Sequence, residues 1–192
     1  MTASALMALR DQRRRSDPEY RALEEAVEAA RQVRVESLRH AEQPIVADLM
    51  NAGVQVDSVW DLVNTSNPYP EALPVLLKHL RQGGYPDRVM ESIARALAVR
   101  PAAFAWEMFR DLYLEAKGRG EVEGLAVALA ASATNNHLDG LIKLLDEGGR
   151  GDTRIHFLRA IKRVGGKRGR EVLRSLRDNP LYGAEARALL KD

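Results

Sequence analysis

Two stretches of the chain decide its fold: Leu73-Pro-Val-Leu-Leu-Lys-His-Leu-Arg-Gln-Gly83 and, 65 residues later, Leu138-Asp-Gly-Leu-Ile-Lys-Leu-Leu-Asp-Glu-Gly148. They share their apolar positions, one Lys and a closing Gly. A second pattern recurs in steps of 32 residues, with a truncated fourth copy at Ala188 and Leu189. Its members are Ile93, Ala96 and Leu97, then Leu125, Ala128 and Leu129, then Phe157, Ala160 and Ile161. Periods of this length are typical of helical pairs that stack to bury their apolar faces.

Turn residues divide this region into about four helical pairs, at residues 71–99, 102–133, 137–164 and 167–190. Glycines separate the helices within a pair, at 83–84, at 118 and 120, and at 148–149. Arg100-Pro101, Thr134-Asn-Asn136 and Gly165-Gly166 separate successive pairs. The sequence therefore predicts an all-α, right-handed α-solenoid over residues 70–192, with an irregular helical bundle as the alternative. The register predicts burial of Leu76, Leu77, Ile93, Leu97, Leu125, Leu129, Leu141, Ile142, Phe157 and Ile161.

The N-terminal part carries weaker signals. Residues 1–16 are polar and aperiodic, which predicts a disordered terminus. Asp17-Pro18-Glu19 is typical of a helix start, and Tyr20, Leu23, Val27 and Ala30 follow at spacings of three and four. We expect Pro44 to interrupt this helix. Residues 17–69 are predicted to form helices that cap the array. The helix from Asp17 to about His40 is expected to pack on the N-terminal end of the array or to pair with a second chain, with a monomer favoured over a homodimer.

The repeated residues resemble a known class. Leu76-Leu77, residues 86–89 (Pro-Asp-Arg-Val) and residues 93–97 (Ile-Ala-Arg-Ala-Leu) carry the resemblance, with echoes at Leu141-Ile142, Asp152 and Arg159-Ala160-Ile161. Residues 70–190 are similar to short bacterial HEAT-like repeats, including those of phycobilisome lyases. Residues 59–98 also look like uncharacterised actinobacterial HEAT-repeat proteins. The resemblance implies a fold and no activity.

The composition of the chain excludes several classes of function. The chain has no Cys, which excludes disulfides, thiolate catalysis and cysteine-ligated zinc. The four histidines, at positions 40, 79, 137 and 156, are far apart and are expected at the surface, so we predict neither a metal nor another cofactor. No apolar run is long enough to cross a bilayer and no secretory signal is evident, which predicts a cytoplasmic protein without membrane contact.

No catalytic constellation stands out. HEAT-like DNA glycosylases use an acidic residue with aromatics, and here Trp106 is followed by Glu107 and Asp111. Trp106 and Asp111 differ by about 140° around a helix, so they do not share a face, and Trp106 is expected to pack in the core. We therefore predict a non-enzymatic scaffold, adaptor or inhibitor that binds another protein. A nucleic-acid-binding protein related to repair glycosylases is the alternative, and a pigment or cofactor lyase is a third class.

The charged residues suggest where a partner binds. Residues 150–192 carry 12 basic and 5 acidic side chains, whereas residues 41–149 carry 9 basic and 15 acidic ones. Cations on the second helices project away from the core positions, which predicts a face for an acidic protein formed by Arg88, Arg95, Arg159, Lys162 and Arg163. Ion pairs within the array, to residues such as Glu91, are the competing interpretation. A secondary stripe consists of Lys167, Arg170, Arg174 and Arg177, and is either a solvated cap or a surface for acidic protein or nucleic acid.

Overall fold

The computed structural model describes residues 2–147 and 151–191, and the secondary structure of these residues is helical, without strands. This confirms the all-α class. Short 3-10 turns lie at Arg100–Ala105, Asn135–His137 and Gly151–Arg154. The α-helices are α1 (Ala3–Ser16), α2 (Pro18–Asn51), α3 (Val59–Asn64), α4 (Ala72–Gln82), α5 (Asp87–Ala96), α6 (Trp106–Glu115), α7 (Arg119–Ser132), α8 (Leu138–Asp146), α9 (Ile155–Ser175) and α10 (Gly183–Lys191).

The chain divides into two units, Met1–His40 and Ala41–Asp192, and the division falls inside α2. The sequence predicted a boundary at residue 70 instead. The difference arises because Ile45, Leu49, Val59 and Leu62 are buried in the core of the second unit, although they precede the periodic region. In the first unit, every described side chain is exposed or half-buried.

Helices of the second unit pack in chain order. α4 packs against α5, α6 against α7, and α8 against α9, as the predicted pairs require. The second helices of these three pairs also contact one another, since α5 packs on α7 and α7 on α9, and the preceding helix α3 packs on α5. α5 and α7 therefore each have helices of this set on both sides.

The repeat register predicted most of the core correctly. Eight of the ten residues expected to be buried are buried, while Leu77 and Ile142 are half-buried. These two are equivalent positions, 65 residues apart, and lie one residue after the fully buried Leu76 and Leu141. One residue is a rotation of about 100°, so both sit at the edge of the apolar face rather than at its centre.

Glycines set the breaks and one close approach between helices. Gly166 adopts φ 53° and ψ −129° inside α9 and separates the two halves of that helix where the sequence predicted a turn. A Cβ at Gly124 of α7 would lie 2.8 Å from the carbonyl oxygen of Glu91 in α5. The lack of a side chain at Gly124 lets these two helices approach closely. The predicted turn at Gly148-Gly149 lies outside the described residues.

The N-terminal expectations need two corrections. Residues 3–16 form helix α1 rather than a disordered terminus, with Thr2 as its N-cap. Arg13, Arg14 and Arg15 occupy its last turn, where cations interact favourably with the helix dipole. Helix α2 also runs through Pro44 without ending there. Proline removes one backbone hydrogen bond, and burial of Ile45 and Leu49 just beyond it compensates for that loss.

Candidate functional site

The predicted cations lie on α5 and α9, and α7 lies between these helices. On α5, the Arg88 guanidinium lies 4.1 Å from the centre of the Trp60 ring and donates to Glu91 at 2.6 Å. Arg95 donates to the other oxygen of Glu91 at 2.8 Å. Both arginines of α5 are therefore engaged within the chain, as the competing interpretation predicted.

These ion pairs continue across three helices. Glu91 is buried, and Glu123 of α7 lies 3.4 Å from Arg95 and 2.8 Å from Nε2 of His156 on α9. The network Arg88–Glu91–Arg95–Glu123–His156 thus links α5, α7 and α9. A buried carboxylate such as Glu91 is stable in charged form only when its partners remain in place. We conclude that Arg88 and Arg95 hold neighbouring helices together.

Arg159 on α9 is more accessible to solvent than the two arginines of α5. The Arg159 side chain is 77% exposed and forms one ion pair, to Glu185 at 3.0 Å. The Arg95 side chain at the equivalent repeat position is only 26% exposed. The predicted equivalence of these two arginines therefore does not extend to their accessibility. Lys162 lies between Arg159 and Arg163 in the sequence. Its side chain is half-buried and is not free, because it takes part in an interaction within the chain.

Arg163 joins α9 to the C-terminal end of α7. Its guanidinium donates to the carbonyl oxygens of Ala130 at 2.5 Å, Ala131 at 3.2 Å and Ala133 at 3.3 Å. The last carbonyl groups of a helix have no partners within it, and a cation there also interacts favourably with the negative end of the helix dipole. Burial lowers the pKa of the Arg163 guanidinium from its ordinary value, and the positive charge of Arg100 lowers it further.

A groove with cations along its rim lies beside these residues. Its volume is about 460 Å³, and its lining consists of Ala98, Arg100, Val127, Ala130, Ala131, His156, Arg159, Ala160 and Arg163. Five of these side chains are small and apolar, and three are exposed arginines. We call this surface the basic groove. No acidic side chain appears among the described residues that line it.

Arg100 was missed by the sequence analysis. It lies in the connection between α5 and α6, which was interpreted only as a turn because of Pro101. The Arg100 side chain is exposed, and within residues 2–147 and 151–191 it has no ion-pair partner. Nothing in the local sequence indicates that the chain brings Arg100 close to Arg163, 63 positions later.

A larger, acidic groove of about 920 Å³ lies at the N-terminal ends of the same helices. Asp87, Glu91, Glu123 and Asp152 are among its lining residues. The carboxylate of Asp87 accepts hydrogen bonds from the backbone amides of Gly120 and Glu121, both at 2.9 Å. Burial raises the pKa of Glu121, and the charge of Asp87 adds to this effect. Most of these carboxylates thus serve to cap or pair with other parts of the protein.

The secondary basic stripe lies away from both grooves. Lys167, Arg170, Arg174 and Arg177 are exposed, and the first three lie on the part of α9 that follows Gly166. Arg177 lies beyond the end of that helix. The structure does not bring the stripe into contact with the basic groove in the part of the chain that it describes, so the two are separate surfaces.

One histidine prediction is wrong. His79 is buried, with Nδ1 2.7 Å from the hydroxyl of Tyr85 and Nε2 3.0 Å from Oδ2 of Asp48. His79 occupies the repeat position of the buried Leu144, which explains its burial. Hydrogen bonds from Lys78 and His79 hold the pKa of Asp48 below its ordinary value. The cluster ties α4 to the C-terminal part of α2.

Trp106 is buried, as the sequence predicted, and its indole donates to the carbonyl oxygen of Leu129 at 3.1 Å. The ring of His137 stacks on it, with 4.7 Å between the ring centres. In this position Trp106 is inaccessible to a nucleobase. Burial lowers the pKa of His137.

Two further observations concern ligands and membranes. Within the described ranges, no three His, Asp or Glu side chains are placed to hold a metal ion together. None of the described helices combines the length and apolar character that a bilayer-spanning segment needs. Comparison of the chain with models of protein families, with curated proteins and with solved structures gives no match.

Proposed function

We propose that residues 70–192 form a HEAT-like α-solenoid that binds an acidic segment of another protein in the basic groove, without catalysis. The observation that carries this proposal is the pair Arg100 and Arg163, two neighbouring cations beside an apolar floor. The contacts of α3 with α5, α5 with α7 and α7 with α9 support the solenoid, because stacked pairs place their second helices side by side.

Charge and shape define the ligand. Two nearby positive charges repel each other, and a carboxylate placed between them would relieve that repulsion. The planar guanidinium groups of Arg100 and Arg159 suit bidentate contacts with Asp or Glu. The floor is made of Ala98, Val127 and other small side chains, so a backbone can approach it closely. An amphipathic segment with Asp or Glu beside small apolar side chains fits this description.

A rigid binding surface favours this interaction. Arg163 is already fixed by three carbonyl groups, so it loses little further side-chain entropy when a ligand binds. Arginines of this kind are enriched among the residues that dominate binding energy in protein interfaces. The proposed role is that of an adaptor or inhibitor in the cytoplasm. The scaffold acts through recognition alone.

The test uses charge reversal at Arg100 and Arg159. Neither is buried, and the Arg159–Glu185 pair is exposed enough to contribute little to folding. A partner is first isolated with the wild-type protein, and its affinity is then measured for Arg100→Glu with Arg159→Glu. We expect at least a 100-fold loss, since two favourable pairs become repulsive. The matched control is Arg170→Glu with Arg174→Glu on the secondary stripe, which should bind normally.

Retained binding by the groove variant, with unchanged thermal stability, would refute the proposed site. Nucleic acid is the second candidate, because the exposed cations of the secondary stripe and of the groove could contact phosphates. Its signature is affinity for DNA or RNA that falls steeply with salt, and that is lost in the stripe control as well. Binding of duplex DNA by wild-type protein at physiological salt would favour this candidate over the acidic protein.

A further inference from the structure

Charged side chains link the two helices of the first unit, α1 and the N-terminal part of α2. We call α1 and residues 18–40 of α2 the N-terminal hairpin. Arg10 of α1 donates to Glu24 of α2 at 2.6 Å, and the hydroxyl of Tyr20 donates to the same oxygen at 3.1 Å. Arg13 lies 4.6 Å from the centre of the Tyr20 ring. These contacts fix the direction of the two helices, and they leave the apolar side chains uncovered.

One face of the hairpin is apolar and exposed. Leu23 and Val27 are 62% and 61% exposed, and Ala30 follows three residues later on the same side of α2. We call these three residues the α2 stripe. Leu6 and Leu9 of α1 are about half exposed as well. Helices obtain most of their stability from packing of an apolar face, and no described side chain of residues 2–40 is buried. The hairpin therefore needs a partner that covers the stripe.

The charges along α2 indicate which partner fits. Residues 18–29 carry four acidic side chains and one basic one, whereas residues 30–40 carry three basic side chains and one acidic one. A second copy of the same helix, placed antiparallel, would lay its basic half against the acidic half of the first. A parallel arrangement in register would place like charges together. Residues 1–40 carry 8 basic and 7 acidic side chains, so two copies have little net repulsion.

We propose that the N-terminal hairpin is a dimerisation arm, and that the α2 stripes of two copies of this chain pack antiparallel about a two-fold axis near Ala30. Such a contact is isologous, so a single apolar stripe completes both sides of the interface. Antiparallel helices with apolar residues at this spacing interdigitate as in a coiled coil. This assembly replaces the monomer that the sequence favoured. It is independent of the basic groove.

A matched pair of substitutions tests the interface in the full-length protein. Val27→Glu places a charge in the α2 stripe, whereas Val33→Glu makes the same change about 120° around the helix, at a side chain that is 66% exposed. Mass is measured by light scattering over a range of concentrations. We expect a dimer for wild type and for Val33→Glu, and half that mass for Val27→Glu. A monomeric wild-type protein overturns the proposal, as does a Val27→Glu variant that remains dimeric.

Cross-linking tests the orientation, because the chain has no Cys of its own. The Cα atoms of a disulfide lie within about 7 Å of each other. In the antiparallel arrangement, Ala30→Cys lies close to its own copy, while Leu23→Cys lies about 20 Å from its copy along the helix axis. We expect oxidation to cross-link the Ala30→Cys protein alone. Equal cross-linking of both variants indicates parallel helices and overturns the antiparallel geometry, and cross-linking of neither overturns the interface.

Discussion

Residues 2–40 and the described part of the second unit, residues 41–147 and 151–191, are both mainly helical, and both carry apolar side chains at spacings of three and four. Their burial differs completely. Ile93, Leu125 and Phe157 of the second unit are fully buried, whereas Leu23 and Val27 of the first are more than half exposed. The same local pattern thus gives a core in one region and an exposed stripe in the other. What separates them is the number of neighbouring helices.

A repeated pattern supplies those neighbours. In the second unit α5, α7 and α9 carry the recurring apolar residues, and α5 packs on α7 and α7 on α9. The N-terminal hairpin occurs once in the chain and has no such copy. Amphipathic spacing therefore predicts that a helix has an apolar face, and repetition predicts that the face is covered from within the same chain.

The largest expected effect contrasts the two regions directly. Leu97→Ala removes a fully buried side chain of the second unit and should lower the free energy of unfolding by about 2–5 kcal/mol. Met7→Ala, at a side chain that is 69% exposed, should change it by less than about 0.5 kcal/mol. Urea denaturation measures both. Similar decreases in the free energy of unfolding for the two variants would contradict the difference in burial between the two regions.

Alanine should be less favourable than glycine at a close helix contact of the second unit, and more favourable than glycine on the exposed N-terminal hairpin. Gly124→Ala improves helix propensity, but the new Cβ would lie 2.9 Å from that of Ala94 and closer still to a backbone oxygen. We expect a net destabilisation of about 1–3 kcal/mol from overpacking. Ala26→Gly on the exposed hairpin should cost about 0.5–1 kcal/mol, because only the propensity changes there. A more stable Gly124→Ala variant would contradict the close contact between α5 and α7.

The capping contact between repeats should contribute a smaller amount. Asp87→Ala removes the acceptor for two backbone amides of α7 and should cost about 0.5–2 kcal/mol. Asp111→Ala serves as the control, since that exposed carboxylate accepts its hydrogen bonds from the neighbouring residue Arg110 on the same helix. Thermal unfolding distinguishes the two. Equal melting temperatures for both variants would show that the Asp87 contact does not contribute to stability.

The smallest effect concerns pH. Burial lowers the pKa of His137, so the folded state favours the neutral ring, whose Nδ1 accepts from the amide of Thr134 at 3.1 Å. The unfolded ring titrates near pH 6.5. Stability from this group is therefore complete above pH 6.5 and declines as the pH falls below that value. His137→Asn keeps an acceptor without a titration, so its melting temperature should fall less between pH 7.5 and 5.5 than that of wild type.

Much of the second unit could be predicted because the sequence pattern recurs, so several residues indicate whether one equivalent position is buried. The equivalence of Leu73, Leu76 and Leu80 to Leu138, Leu141 and Leu145 indicates the buried face of α4 and α8, and all six residues are buried. The same equivalence could have predicted that His79 is buried, because it occupies the repeat position of the buried Leu144. It was missed because residue type was given more weight than register.

The candidate site was harder to predict. A spacing of four residues suggests the Glu91–Arg95 pair, and the structure contains it. The role of Glu123 depends on α7 lying between α5 and α9, which no single helix reveals. Arg100 lies in a connection where no helical period applies, so its side chain could not be assigned to a surface. The continuation of α2 past Pro44 depends on burial of residues that follow it.

The carboxylate of Asp87 also determines how the second unit opens. It stands at the start of α5 and accepts from the amides of Gly120 and Glu121 in the first turn of α7. When α5 unfolds, those two amides lose their acceptor, and the first turn of α7 is weakened at the same moment. Local opening therefore passes from one helical pair to the next. In hydrogen exchange, the amide protons of residues 120 and 121 should exchange together with those of α5, as one cooperative unit.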